Sequence, residues 1–162
     1  MIKIRRIEPD EAPAAKQLIY RIAHLIFNDS GPLEESIAYH ESRGELQDID
    51  NIQNKYFDND GIFLVMTDDD QLIGTGAIRK LEDKICELKR LWLLTEYHSK
   101  GLGYRMLQEL LSFAKEKGYT RIRLETDPVY QKRALDFYKR LGFYEIPRYG
   151  DNMDDIAMEM IF

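Results

Sequence analysis

Apolar residues along this chain change their spacing several times, and each change marks an element. Ile2, Ile4 and Ile7 alternate with Lys and Arg, which predicts an opening strand over residues 2–7. From Glu8 to Phe27, Ala15, Leu18, Ile19, Ile22, Ala23 and Ile26 recur every three or four positions. This predicts an amphipathic helix entered through Pro9-Asp10 and left near Asn28-Asp29-Ser30-Gly31-Pro32. Residues 33–57 scatter Leu33, Ile37, Leu46, Ile49, Ile52 and Tyr56 among many acids, a pattern of short helices. The continuous run IFLVMT (62–67) is a buried strand, and Leu72 to Ile78 pairs with it across Asp68-Asp69-Asp70.

After a second hairpin turn at Glu82-Asp83-Lys84, Ile85 to Leu93 forms the next strand. Gly103 to Lys117 is a helix with Met106, Leu107, Leu110, Leu111 and Ala114 on its inner face, stopped by Gly118. RIRLE (121–125) alternates as a strand. Asp127-Pro128 leads into a helix whose apolar face holds Ala134, Leu135, Phe137, Tyr138 and Leu141 before Gly142. IAMEMI (156–161) is a last strand. The order of strand, helices, antiparallel meander, then strand–helix–strand–helix–strand is that of a mixed α/β domain, and a single domain over 1–162 is expected.

Composition narrows the chemistry. The formal charge of −6 disfavours bulk nucleic acid as a partner. No 18-residue apolar stretch exists and the N-terminus lacks the apolar core of a signal peptide, so no membrane partner and a cytoplasmic location are expected. Cys86 is the only cysteine, and His24, His40 and His98 lie far apart, so no metal site is expected. The acidic turns at 58–60 and 68–70 lack the spacing of a calcium loop and read as solvated turns.

The most informative stretch runs ELKRLWLLTEYHSKGLG from Glu87 to Gly103 and passes directly into a helix. A glycine turn at a helix start aims backbone N–H groups and the positive end of a helix dipole at one spot, which suits a pyrophosphate. A lone G-x-G is weak, as the second copy Gly74-Thr75-Gly76 shows, and the Walker and full dinucleotide patterns are absent. Context raises this copy. His98-Ser99-Lys100-Gly101-Leu102-Gly103 resembles the Q/R-x-x-G-x-G/A signature of the GNAT superfamily of acyl-CoA-dependent N-acyltransferases. CELKRLWLL resembles that family's central strand, and ALDFYKRLGF (134–143) its second signature, a helical Tyr before a Gly-Phe turn.

The resemblance covers residues 62–143 well and implies a GNAT-like mixed central sheet flanked by helices. Its N-terminal meander would be antiparallel, with parallel strands splayed around an acyl-CoA cleft. It implies acetyl-CoA as acyl donor, no metal, and the backbone of Leu91, Trp92 and Leu93 pairing with the pantetheine arm. The turn of His98, Ser99, Lys100, Gly101, Leu102, Gly103 and Tyr104 would hold the pyrophosphate. His98 departs from the family's Gln or Arg, and Lys100 and Arg105 are available to restore charge. Gln131 stands where the family often has an Asn contacting the cofactor arm; a solvent-facing Gln is the equal alternative.

Acetyl transfer to an amine needs a base, because a lysine-like amine has a pKa near ~10.4, and an acid for the departing thiolate. Glu87, matching the position of the catalytic glutamate of some family members, is the candidate base, acting directly or through a water, or else a carboxylate paired with Lys89 or Arg121. Tyr138 is the candidate acid, or else a core tyrosine. Cys86 reads as a structural thiol rather than an acyl carrier. Acceptor choice falls to residues 24–57, the hairpin after 78 and the tail 144–153, and the acidic balance of residues 29–60 leans toward a cationic acceptor. A small-molecule amine is the first expectation, a protein amine the second, and an acyl-CoA sensor without turnover the third. A homodimer is compatible with all three.

Overall fold

The computed structural model describes residues 1–162. A seven-stranded mixed sheet runs in the order β1 (Ile2–Arg6), β2 (Ile62–Asp68), β3 (Gln71–Glu82), β4 (Ile85–Leu93), β5 (Arg121–Thr126), β7 (Ile156–Ile161) and β6 (Tyr144–Ile146). Helices α1 (Ala12–Ile26), α2 (Leu33–Ser42), α3 (Gln47–Asp50) and α4 (Ile52–Lys55) separate β1 from β2, a 3₁₀ turn at Pro9–Glu11 leading into α1. The helices α5 (Leu102–Glu116) and α6 (Lys132–Arg140) follow β4 and β5. All pairs are antiparallel except β4 with β5.

The unbroken apolar run of β2 has a simple cause. Ile62, Leu64 and Met66 join a core with Met106, Leu107 and Leu110 of α5. Phe63 and Val65 point the other way, into a second core with Ala15 and Ile19 of α1, Ile49 and Tyr56. A strand covered on both faces has no polar side to show. Burying a leucine such as Leu107 or Leu110 fully, as here, contributes about 1.5–3 kcal/mol. The buried stripe of α5 is the five residues its spacing predicts, joined by Leu102.

Helix α5 lies hard against β3. A Cβ on Gly76 would sit 2.9 Å from both Leu110 Cδ1 and Met106 Cγ, so only glycine admits this approach. The helix therefore starts close to the end of β4, and Gly101, its N-cap, takes a left-handed φ of 75°.

Two differences from the sequence reading have physical reasons. Strand β3 runs past Ile78 to Glu82 because β4 pairs with its far half, down to Glu82 opposite Ile85. Residues Tyr144–Ile146, read as the start of the tail 144–153 with no strand assigned, form the short edge strand β6 on β7. Only one of its three residues is even partly buried, so no apolar alternation announces it.

Gly61, at the mouth of β2, meets the β3 backbone more closely still: an added Cβ would lie 2.3 Å from the Ile78 carbonyl oxygen. Gly61→Ala is expected to destabilise the fold by about 1–3 kcal/mol, as overpacking does. Urea unfolding would read this as a lower midpoint with unchanged slope.

Candidate functional site

Strands β4 and β5 pair over only three rungs, Ile85–Arg121, Cys86–Ile122 and Glu87–Arg123, and then part. Beyond the last rung β5 stays fully paired with β7 to Thr126, while β4 stays with β3. The β5-facing edge of β4 from Leu88 to Leu93 is thus left without a strand partner. Along this stretch the β3–β4 register slips, Thr75 facing Trp92 but Ala77 facing Lys89. Arg90, inside the bulge, has a left-handed φ of 56°. Such a backbone costs a non-glycine residue about 1–2 kcal/mol, and bonds on both sides hold it. Thr75 Oγ1 donates to the Arg90 carbonyl at 2.7 Å. The Arg90 guanidinium donates to both Asp48 oxygens, at 3.1 and 2.7 Å, and to the Glu45 carbonyl at 3.1 Å.

At the end of β4 the chain turns through a 3₁₀ segment, Thr95–Tyr97, into the glycine turn. None of the N–H groups from Ser99 to Tyr104 has an acceptor within the protein; the first helical bond is Arg105 N–H to Gly101 carbonyl. Ser99 and Gly101 both have positive φ, 63° and 75°. Successive N–H groups at a left-handed turn and a helix start form a nest for an anion. Opposite stands α6: the Arg133 guanidinium donates to Ser99 Oγ at 2.9 Å, and Phe137 is the nearest side chain to Gly103. Together, an open strand edge and an anion nest facing one gap form a cradle for an extended ligand with a phosphate end.

A family model described as the acetyltransferase (GNAT) family matches residues 19–143. The chain belongs to the GNAT acetyltransferase family. Among curated relatives, the uncharacterized N-acetyltransferase YjgM of Escherichia coli K12 is 30% identical over 101 residues, 60% of each chain. The chain spans about half the length of the curated relatives it matches. A GNAT-family acetyltransferase from Staphylococcus aureus Mu50 superposes with a TM-score of 0.85 at 21% identity over 99% of both chains. The PaiA N-acetyltransferase of Thermoplasma acidophilum, solved with coenzyme A, gives 0.80 at 23% identity over 100% of this chain and 99% of that one. These structures share the GNAT fold: a mixed sheet whose parallel β4 and β5 splay between flanking helices.

The candidate residues sort themselves around the gap. Leu91, Trp92 and Leu93 lie on the open edge of β4, and Lys100, Gly101, Leu102, Gly103 and Tyr104 build the nest with Ser99. His98 does something the sequence did not suggest: its Nε2 sits 3.0 Å from the Leu93 carbonyl. As a donor, the ring ties the glycine turn to the last residue of β4. Lys100 stacks its ammonium over the Tyr97 ring at 5.5 Å, and Arg105 is exposed. Arg133, which no motif flagged, is the cation that reaches the turn by a hydrogen bond. Gln131 uses its Oε1 to accept from Asp127 N–H at 2.9 Å and Thr126 Oγ1 at 3.4 Å, so that oxygen shapes the β5–α6 turn.

Glu87 is 1% exposed, on the last rung before the strands part. Its partners are neither Lys89 nor Arg121. Arg79 Nε donates to Oε1 at 2.7 Å and the Tyr149 hydroxyl to Oε2 at 2.6 Å. Arg79 is its cross-strand neighbour, whereas Tyr149 comes from the 147–155 tail that folds back over the sheet. Beside it Glu125 Oε2 is buried with no hydrogen-bond partner. Burial, Glu87 and Asp155 together push the Glu125 carboxyl above the usual range. Tyr138, on α6, is buried against Phe137 and edge-on to Phe143, with no hydrogen bond to protein. Burial pushes its phenol well above the ordinary value, so it is a full donor at neutral pH. Cys86 is fully buried, and burial pushes its thiol up to about 12, which leaves no thiolate to carry an acyl group.

Most of the acids of residues 29–60 are spent internally, the exposed Glu34 and Glu35 being the exceptions. Lys16 pairs with Glu41 and Asp50, Tyr20 donates to Glu41, His40 pairs with Glu45, and Asp48 serves Arg90 and Tyr56. Burial alone would raise the Asp48 carboxyl, but Arg90 beside it holds it below the usual range. A depressed carboxylate contributes stability above its unfolded pKa, near ~3.9, and loses it as pH falls through the folded value. Asp48→Asn, which orphans Arg90, is expected to cost about 3 kcal/mol at pH 7. Denaturation from pH 7 down to pH 2 should show the gap between the two proteins narrowing below roughly pH 4.

Proposed function

We propose that this chain is an acetyl-CoA-dependent N-acetyltransferase that acetylates a small-molecule amine by direct attack. The observation that carries the reading is the convergence on one gap of an unpaired β4 edge, an N–H nest and a buried carboxylate at the fork. The candidate phenol, Tyr138, comes from α6, the helix whose Arg133 reaches the nest. The residues fit acetyl-CoA. The nest with Arg133 matches a pyrophosphate, and the edge at Leu91, Trp92 and Leu93 offers backbone groups to an amide-bearing arm, the Leu93 carbonyl being already engaged by His98. When bound, acetyl-CoA supplies a thioester carbonyl activated for attack.

The chain's residues then divide the proton work. An amine arrives as an ammonium and must lose a proton before its lone pair can form the C–N bond. Glu87 accepts that proton, directly or through a water. Both its oxygens are held, but the Tyr149 donor sits on a tail segment without regular structure, so displacing one phenol frees Oε2. Arg79 stays on Oε1 and keeps the carboxylate oriented. The bulge at Arg90 turns β4 backbone out of the β3 ladder, offering main-chain N–H groups to the negative charge that develops on the acetyl oxygen. Tyr138 donates its proton to the sulfur as the C–S bond breaks, and burial keeps that proton in place until then.

Thiol release from acetyl-CoA across a panel of amines tests the reading, and tight CoA binding with no release for any amine would favour a sensor. Tyr138→Phe is expected to lower kcat about 10²-fold with CoA affinity near normal by calorimetry; an unchanged kcat would remove Tyr138 from the chemistry. Arg133→Ala is expected to do the reverse, weakening CoA binding about tenfold with little change in kcat at saturation.

A further inference from the structure

Along β4, on the same face as Glu87, the sheet opens into a cleft of ≈ 300 Å³ whose charge opposes that of the whole chain. Lys55, Arg79, Lys89 and Arg90 line it with Tyr56, and Asp48 is its single carboxylate. Asp48 is committed on both oxygens to Arg90 and Tyr56. Arg79 gives only Nε to Glu87, so its two terminal nitrogens have no acceptor in the protein. Lys89 and Lys55 form no ion pair and no hydrogen bond with any side chain or carbonyl of the chain. Lys89 is half-buried, and burial together with Arg90 pulls its ammonium below the ordinary value.

A half-buried lysine with no direct ion-pair partner is costly; Glu87 and Asp48 act on Lys89 only without contact, and an anion that arrives in contact relieves the cost further. We propose that this cleft binds an anionic group carried by the acceptor, so that the substrate is an amine bearing a carboxylate or a phosphate a few bonds from its nitrogen. Geometry sets the spacing. Glu87 and Lys89 are alternate residues of one strand with no bulge between them, paired to Arg79 and Ala77. They are therefore about 6.6 Å apart on the same face. An amine delivered to Glu87 places a group a few bonds away against Lys89 and the free nitrogens of Arg79. Lys55 closes the rim from α4. The acids upstream, which at first suggest a cationic acceptor, do not compete: Asp48 alone among them lines the cleft, and it is held by Arg90 and Tyr56.

This inference rests on the transferase reading, and the test separates the two. Thiol release would be measured with ω-amino carboxylates of increasing length, aminoalkyl phosphates and n-alkylamines of matched length. An anionic acceptor is expected to exceed its matched alkylamine by about 10- to 100-fold in kcat/KM. The better of the carboxylate and phosphate arms identifies the anion. Lys89→Met and, on the exposed rim, Lys55→Glu should each collapse that ratio through KM, whereas Lys89→Arg should retain most of it. Alkylamines preferred over their anionic partners, or a ratio indifferent to both charge changes, would overturn the anion site while leaving the transferase intact. Should no amine release thiol, the transferase reading fails, and the site is then decided by calorimetry of phosphoethanolamine and β-alanine into CoA-saturated protein. Binding of either that is lost in Lys89→Met supports the site, and no binding of either overturns it.

Discussion

Three rungs of parallel pairing, ending at Glu87 and Arg123, determine what this sheet can do. Both strands have stronger commitments elsewhere: β5 pairs with β7 along its whole length, and β4 follows β3. The bulge at Arg90 turns β4 out of line just past the fork, and Asp48, Thr75 and the Glu45 carbonyl hold that bulge from three sides. An unpaired strand edge is ordinarily a liability. Here it lies inside the molecule's own fork, flanked by α5 and α6, where another chain cannot dock on it as a strand but an extended ligand can.

The same constraint explains the position of the candidate base. The last shared rung is where a side chain on β4 is enclosed by both strands, and Glu87 occupies it at 1% exposure. A carboxylate so buried needs donors; it has Arg79 from the neighbouring strand and Tyr149 from the tail. The tail comes close enough for this because Gly150 has no side chain: a Cβ there would lie 2.1 Å from Glu125 Oε2. The edge strand β6, which precedes that tail, and β7, which follows it, thus bring a phenol over the carboxylate.

How much of this the sequence carried depends on how local each feature is. The strand–turn–helix from Glu87 to Glu116 was legible because its glycines, its helix stripe and its carboxylate are contiguous. The Tyr138 helix was legible for the same reason. Partners contributed across the sheet were not. Nothing near residue 87 signals Tyr149, 62 positions away, and Arg133 reads as one more surface cation until α6 is seen to face the nest. His98 looked like a weakened phosphate residue, and its bond to the Leu93 carbonyl needs the turn geometry to be seen. The bulge left no glycine behind, since Arg90 holds the left-handed conformation by its own ion pair. The acidic bias of residues 29–60 is a weaker guide for a related reason: charge counted along a segment says nothing of which charges meet.

Charge around Glu87 is segregated in space rather than along the chain. On the β5 and tail side stand Glu125, with one oxygen unpartnered, and Asp155, both pushed above the usual carboxylate range mainly by burial. On the β3 and α4 side stand Arg79, Lys89 and Lys55. The two sides sense each other, since Lys89 draws down both raised carboxyls in opposition to burial. A field running across the fork orients a dipolar molecule, amine toward the carboxylates and anion toward the cations, before any contact is made. In a half-buried cleft such a field is screened far less than on an open surface. A substrate with charge at one end only would satisfy one side and leave the other's desolvation uncompensated. On the proposed reading the fork would discriminate by the spacing of two charges rather than by the presence of one, a spacing set by Glu87 and Lys89 of one strand.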